Sequence, residues 1–189
     1  MKAKFSVSGT LTAKDGYGIE RIETPMLLVT KFAGMNLSRD YADLEAATGD
    51  ALKRALHKNS FTGELGEYAS VKTPDGCLPD RILLVGLGRA QQFSCAGVRE
   101  LVKTAINAAV RRKVSRISIP VVPNRTTRGN LTLSSTAYIM KSVASDVLEK
   151  KKGDGEFEIE LVCSAQAKRH LQAGLRRQRR KTACDPCAE

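Results

Sequence analysis

Apolar and polar positions alternate at the start of the chain. Phe5, Val7 and Leu11 stand among polar neighbours, which predicts a half-buried strand over residues 3–11. Residues 25–32 form a nearly continuous apolar run, the pattern of a strand covered on both faces. Gly34 ends that run, and Ser38 is placed to cap a helix reaching about Lys58. In that helix Tyr41, Leu44, Thr48, Ala51, Leu52 and Ala55 trace one stripe.

The second half repeats the alternation of periods. Residues 67–73 predict a strand, Pro74-Asp-Gly76 a tight turn, and Arg81 to Gly86 the most strand-like run of the chain. Ser94 then caps a helix to about Lys113, with Val98, Leu101, Val102, Ala105, Ile106, Ala109 and Val110 on its inner face. Ser115 to Val122 is a β-branched strand bounded by Pro120 and Pro123, followed by a polar, basic loop over 124–130. A helix over 132–151 turns Met140, Val143, Ala144, Val147 and Leu148 inward, and Gly153-Asp-Gly155 breaks it. Phe157, Ile159 and Leu161 alternate in a last strand, and a helix follows from about Ser164. Strand–helix alternation after residue 80 implies right-handed crossovers and a parallel sheet between helix layers. The expected fold is α/β: a three-layer sandwich with a mixed, mostly parallel central sheet and helices on both faces. Neither repeats nor internal linkers divide the chain, so residues 1–175 read as one domain and 176–189 as a basic, flexible tail.

Composition agrees with a globular domain: of 189 residues, 42% are hydrophobic and 27% charged. A chain of this length buries roughly 70% of its unfolded surface, so its core needs no metal or disulfide staple. Charge adds a second theme. The formal net charge is +11, and residues 168–181 concentrate seven cations with no acid. Arg176, Arg177, Arg179, Arg180 and Lys181 are the candidate nucleic-acid contacts, falling on adjoining positions if a helix continues through them. Aromatic residues make up only 5% and Trp is absent, so such contacts would be weak and indifferent to sequence. The start carries no signal-peptide pattern and no stretch approaches a membrane span, so a cytoplasmic protein away from membranes is expected. Five cysteines in that compartment read as thiols rather than a disulfide framework. Cys184-Asp-Pro-Cys187 lacks the further ligands of a zinc site and the strand–helix context of a redox motif.

Two glycines raise the question of chemistry. Gly86-Leu-Gly88 lies between a strand and a helix, where α/β folds hold phosphates. With Arg125 and Arg128 of the basic loop it forms a candidate anion pocket. Position 91 is Gln where a dinucleotide fingerprint needs a third glycine, and a turn leaving the sheet explains both glycines equally well. No hydrolase or metalloprotease motif occurs, and the two histidines, His57 and His170, fall toward ends of predicted helices beside basic residues. No catalytic residue and no metal ligand is assigned.

The order of these pieces carries a resemblance. Phe61-Thr-Gly-Glu-Leu-Gly66, then Leu78-Pro-Asp-Arg-Ile-Leu-Leu-Val-Gly-Leu-Gly88, then the helix holding Val98 to Ala109 resemble the N-terminal domain of the leucyl (cytosol) aminopeptidases. The resemblance covers about residues 20–175 and implies a macro-domain-like fold. In that family two divalent metals and an N-T-D-A-E-G-R segment belong to a separate catalytic domain, which this sequence does not contain. The resemblance therefore implies a stand-alone, non-catalytic homologue without cofactors, a binding or regulatory module or a remnant. Self-association or docking on a full-length aminopeptidase is the matching partner expectation. Binding of a nucleotide or ADP-ribose in macro-domain fashion, or non-specific nucleic-acid binding, are the alternatives.

Overall fold

The computed structural model describes residues 1–11, 18–37, 41–58, 60–121 and 131–178. Six strands, β1 (Lys2–Ser8), β2 (Leu27–Lys31), β3 (Tyr68–Lys72), β4 (Arg81–Gly86), β5 (Arg116–Pro120) and β6 (Glu156–Val162), form one sheet in the order β1-β6-β5-β2-β4-β3. All neighbours pair in parallel except β3, which runs antiparallel to β4. The helices are α1 (Ala42–Thr48), α2 (Asp50–Lys58), α3 (Cys95–Arg111), α4 (Leu133–Glu149) and α5 (Ala165–Arg176).

The side-chain alternation of the strands explains the layers. Leu28, Leu83, Val85, Ile117, Ile119, Phe157 and Ile159 point to one face, where α3, α4 and α5 cover them with Leu101, Val102, Ile106, Met140 and Leu171. Leu27, Val29, Ile82, Leu84, Ala69 and Val71 point the other way, under Leu44 and Leu52 of α1 and α2. β2 and β4 are apolar on both faces because both are central. The second face becomes polar beyond them: Lys4, Glu156, Glu158, Arg116, Ser118 and Glu160 replace its hydrophobics on β1, β5 and β6.

Four expectations need correction. The single helix over 38–58 is two helices, because Gly49 adopts φ 55° and ψ −139°, a conformation suited to glycine, and redirects the chain. Ser38 lies outside the described residues; the residue preceding α1 is Tyr41. The first strand stops at Ser8, where Gly9 passes against the Ala165 backbone of α5, its Cβ position 3.2 Å from that Cα. Cys95 is disulfide-bonded, whereas Cys77 and Cys163 are free. The 124–130 loop and the Cys184/Cys187 pair lie outside the described residues.

Candidate functional site

The carboxyl ends of the parallel strands gather on one rim of the sheet. At its middle the connections diverge: β2 leads over one face through α1 and α2 toward β3, and β5 leads over the other through α4 to β6. Such a divergence is where open α/β sheets leave a crevice.

Gly86 and Gly88 sit on this rim with their amides turned inward. The Gly86 N–H donates to the Glu67 carbonyl and the Gly88 N–H to the Gly63 carbonyl, each at 2.9 Å. A Cβ on Gly86 would lie 2.0 Å from the Glu64 carbonyl oxygen. The 61–66 segment thus packs directly on the strand end and takes up the donors that a bound anion would need. That segment also builds an anion cradle of its own. The N–H groups of Thr62, Gly63 and Glu64 converge on Glu67 Oε2 at 2.9, 2.9 and 3.2 Å, and the Thr62 hydroxyl donates to both carboxylate oxygens at 3.1 Å. Burial pushes the Glu67 carboxyl up, but these hydrogen bonds outweigh it and hold the group below its ordinary value. The chain's own carboxylate fills the cradle.

Beside it lies a cavity of about 380 Å³ between the segment following β2 and helices α1 and α2. Leu37, Leu52 and Leu56 give it an apolar floor, and Lys31, Asn36, Lys53 and His57 surround them with polar groups. The Lys31 ammonium donates to the Thr62 carbonyl and lies 6.0 Å from the Phe61 ring centroid. Lys53 pairs with Glu45 at 3.2 Å. The arrangement suits a small ligand with an apolar or aromatic body and an anionic end. From the sequence, Leu52 is part of a helix stripe and His57 lies toward a helix end, and neither is assigned to a site; the signal was a buried strand ending at Gly34 before an amphipathic helix.

A second cavity, about 320 Å³, opens on the polar half of the sheet under Leu11, Arg21 and Ile22. Glu160 Oε2 there accepts from the Ser118 hydroxyl at 2.8 Å and from Arg116 Nη2 at 3.1 Å. Burial raises the Glu160 carboxyl, and Ser118, the neighbouring Ser8 and Arg116 together bring it below its ordinary value.

The basic candidates separate. Arg176 closes α5, and Arg177 has already left the helix with φ −59° and ψ 132°. Lys141 Nζ donates to the Leu175 carbonyl at 2.6 Å and ties that terminus to α4. Arg125, Arg128, Arg179, Arg180 and Lys181 lie outside the described residues. His170 is exposed on α5.

With this geometry in view, the comparisons with known proteins decide the lineage. The family model for the cytosol aminopeptidase family, N-terminal domain, matches residues 28–139. The chain belongs to that family. A probable cytosol aminopeptidase of Cupriavidus pinatubonensis is 32% identical over 106 residues, which is 56% of this chain and 21% of that protein. The chain thus spans about a fifth of the length of the curated relatives it matches. A mutant tomato leucine aminopeptidase superposes with a TM-score of 0.62 at 16% identity, covering 92% of this chain and 36% of that one. A mutant Oceanobacillus iheyensis macrodomain with ADPR gives 0.64 at 16% identity, over 92% of this chain and 91% of that chain. The fold is macrodomain-like. Among the described residues no three His, Cys, Asp or Glu side chains stand together to hold a metal. No described helix is long and apolar enough to cross a membrane.

Proposed function

We propose that this domain is a non-catalytic binding module of its family, and that the cavity beyond the carboxyl end of β2 takes a nucleotide or ADP-ribose-like ligand. The cavity carries this reading: its Leu37, Leu52 and Leu56 floor suits a base or another flat body, and Lys31, Lys53 and His57 in its lining outnumber the one carboxylate, Glu45, which suits phosphate. The ADPR held by the O. iheyensis macrodomain supports the choice of ligand class. The matched region supports the non-catalytic half, since it is the N-terminal domain and not a peptidase domain.

The test is a thermal-shift and calorimetric titration with ADP-ribose and ATP, on the parent and on Lys53→Glu/His57→Glu. Saturable stabilisation lost in the double variant is the expected result. Equal stabilisation of both proteins would place binding elsewhere. Release of leucine from leucine anilides with Mn²⁺ or Zn²⁺ present, above a blank preparation, would overturn the non-catalytic reading.

A further inference from the structure

We propose that the open edge of β3 is a docking strand for an extended, acidic peptide segment. The backbone gives the first argument. The Gly86 N–H donates to the Glu67 carbonyl and the Thr73 N–H to the Asp80 carbonyl, so residues 67 and 73 face β4. The two-residue period turns Ala69 and Val71 the same way and points the N–H and C=O groups of Tyr68, Ser70 and Lys72 outward. β3 is last in the sheet order, and no described strand takes up those groups. Proteins ordinarily shield such an edge.

Its surroundings give the second argument. The exposed large hydrophobics among the described residues are Leu65, Tyr68 and Leu78, at 50%, 37% and 50% exposure. All three belong to this edge: Leu65 precedes β3, Tyr68 begins it, and Leu78 lies in the turn that leaves it. Scattered single hydrophobics are ordinary on a surface, but their collection beside an open strand marks an interaction site.

Charge selects the occupant. Arg111 Nη1 donates to the Tyr68 hydroxyl at 3.1 Å, and the Arg112 guanidinium lies 6.0 Å from the Tyr68 ring centroid. Lys72 is the cross-strand partner of Arg81. None of these four cations has an acidic side chain within ion-pair distance among the described residues. A second copy pairing antiparallel about Ser70 would set its Lys72 opposite Tyr68, among Arg111 and Arg112, cation against cation. An acidic strand meets the same groups with opposite sign and satisfies the outward backbone. A nucleic acid would match the charge but not the spacing of peptide donors and acceptors. Pro74 has no N–H, so the ladder ends there and a docked segment spans about five residues.

The experiment is NMR titration of the full chain, ¹⁵N-labelled, with the heptapeptide Glu-Val-Asp-Val-Glu-Val-Asp, acetylated and amidated. Shift changes and slowed exchange should centre on the Tyr68, Ser70 and Lys72 amides. Lys72→Glu/Arg111→Glu, both exposed positions, should weaken binding at least about tenfold while the unperturbed spectrum shows the fold intact. A peptide with proline at its centre should lose the exchange protection. Five results would overturn the proposal: no change at about 1 mM peptide; equal protection by the proline peptide; unchanged binding in the double variant; stronger perturbation of these amides by duplex DNA; or protection that appears without peptide as the protein dimerises.

Discussion

Gly86 and Glu64 stand closer than any side chain on Gly86 would permit: the Cβ position of the first is 2.0 Å from the carbonyl oxygen of the second. Because the obstructing atom is backbone, Gly86→Ala must displace either β4 or the 61–66 segment. It should cost about 1–3 kcal/mol or more, the range of overpacked sites. Gly155→Ala, with open space at its Cβ position, is the control and should be nearly neutral. Urea unfolding of the two variants checks the difference; a neutral Gly86→Ala would mean the segment is not anchored there.

The Glu67 cradle predicts a pH dependence. The folded carboxyl titrates below its ordinary value, so its contribution is present above the unfolded value of about 4.3 and is lost as pH falls through the lower folded value. Glu67→Gln should therefore destabilise at neutral pH, by about 1–2 kcal/mol for hydrogen bonds to a partly solvated charge. The gap between parent and variant should narrow as pH drops from about 5 to 3. A constant gap across that range would assign the loss to packing instead.

Ile106 on α3 is fully buried against the sheet. Ile106→Ala should cost about 2–4 kcal/mol in chemical denaturation. A loss below about half a kcal/mol would be inconsistent with that burial.

For the basic terminus, the helix itself complicates a deletion. α5 buries Leu171 and sets Gly174 against the Ser134 carbonyl, 2.2 Å from its Cβ position, so removing residues beyond Ala167 would expose core. The cleaner comparison keeps the full chain and replaces Arg179, Arg180 and Lys181 by Gln, which leaves every cysteine in place. The parent should bind a mixed-sequence duplex non-specifically, with Kd on the order of 10⁻⁴–10⁻⁶ M and a steep fall with salt. The neutralised variant should bind more weakly. Equal anisotropy curves would remove the terminus as the binding element.

The framework was legible where burial imposes a period. Arg81–Gly86 and the α3 stripe stand where their apolar patterns put them, since a central strand and a sheet-covering helix leave little choice of register. The break at Gly49 was not legible: the stripe through Tyr41, Leu44, Thr48 and Leu52 continues across it, and all four are buried. The rim illustrates a different limit. A glycine pair reports that something approaches the backbone closely, but not whether it is a phosphate or another stretch of chain. At Gly86 it is the chain itself. The cavity beyond β2 escaped notice because its walls come from a segment and a helix whose mutual angle depends on that same Gly49.

The pairing of β1 with β6 joins Lys2 to Glu156 and Ser8 to Val162, and among the described residues β6 is the sole sheet neighbour of β1. Of the six strands, the first to be synthesised therefore has no place in the sheet until the last has been made. At a synthesis rate of about 5–20 residues per second, it waits on the order of ten seconds with Phe5 and Val7 uncovered. Lys2 and Lys4, immediately ahead of those hydrophobics, keep the waiting segment charged, a sequence feature that serves the nascent chain as much as the finished fold.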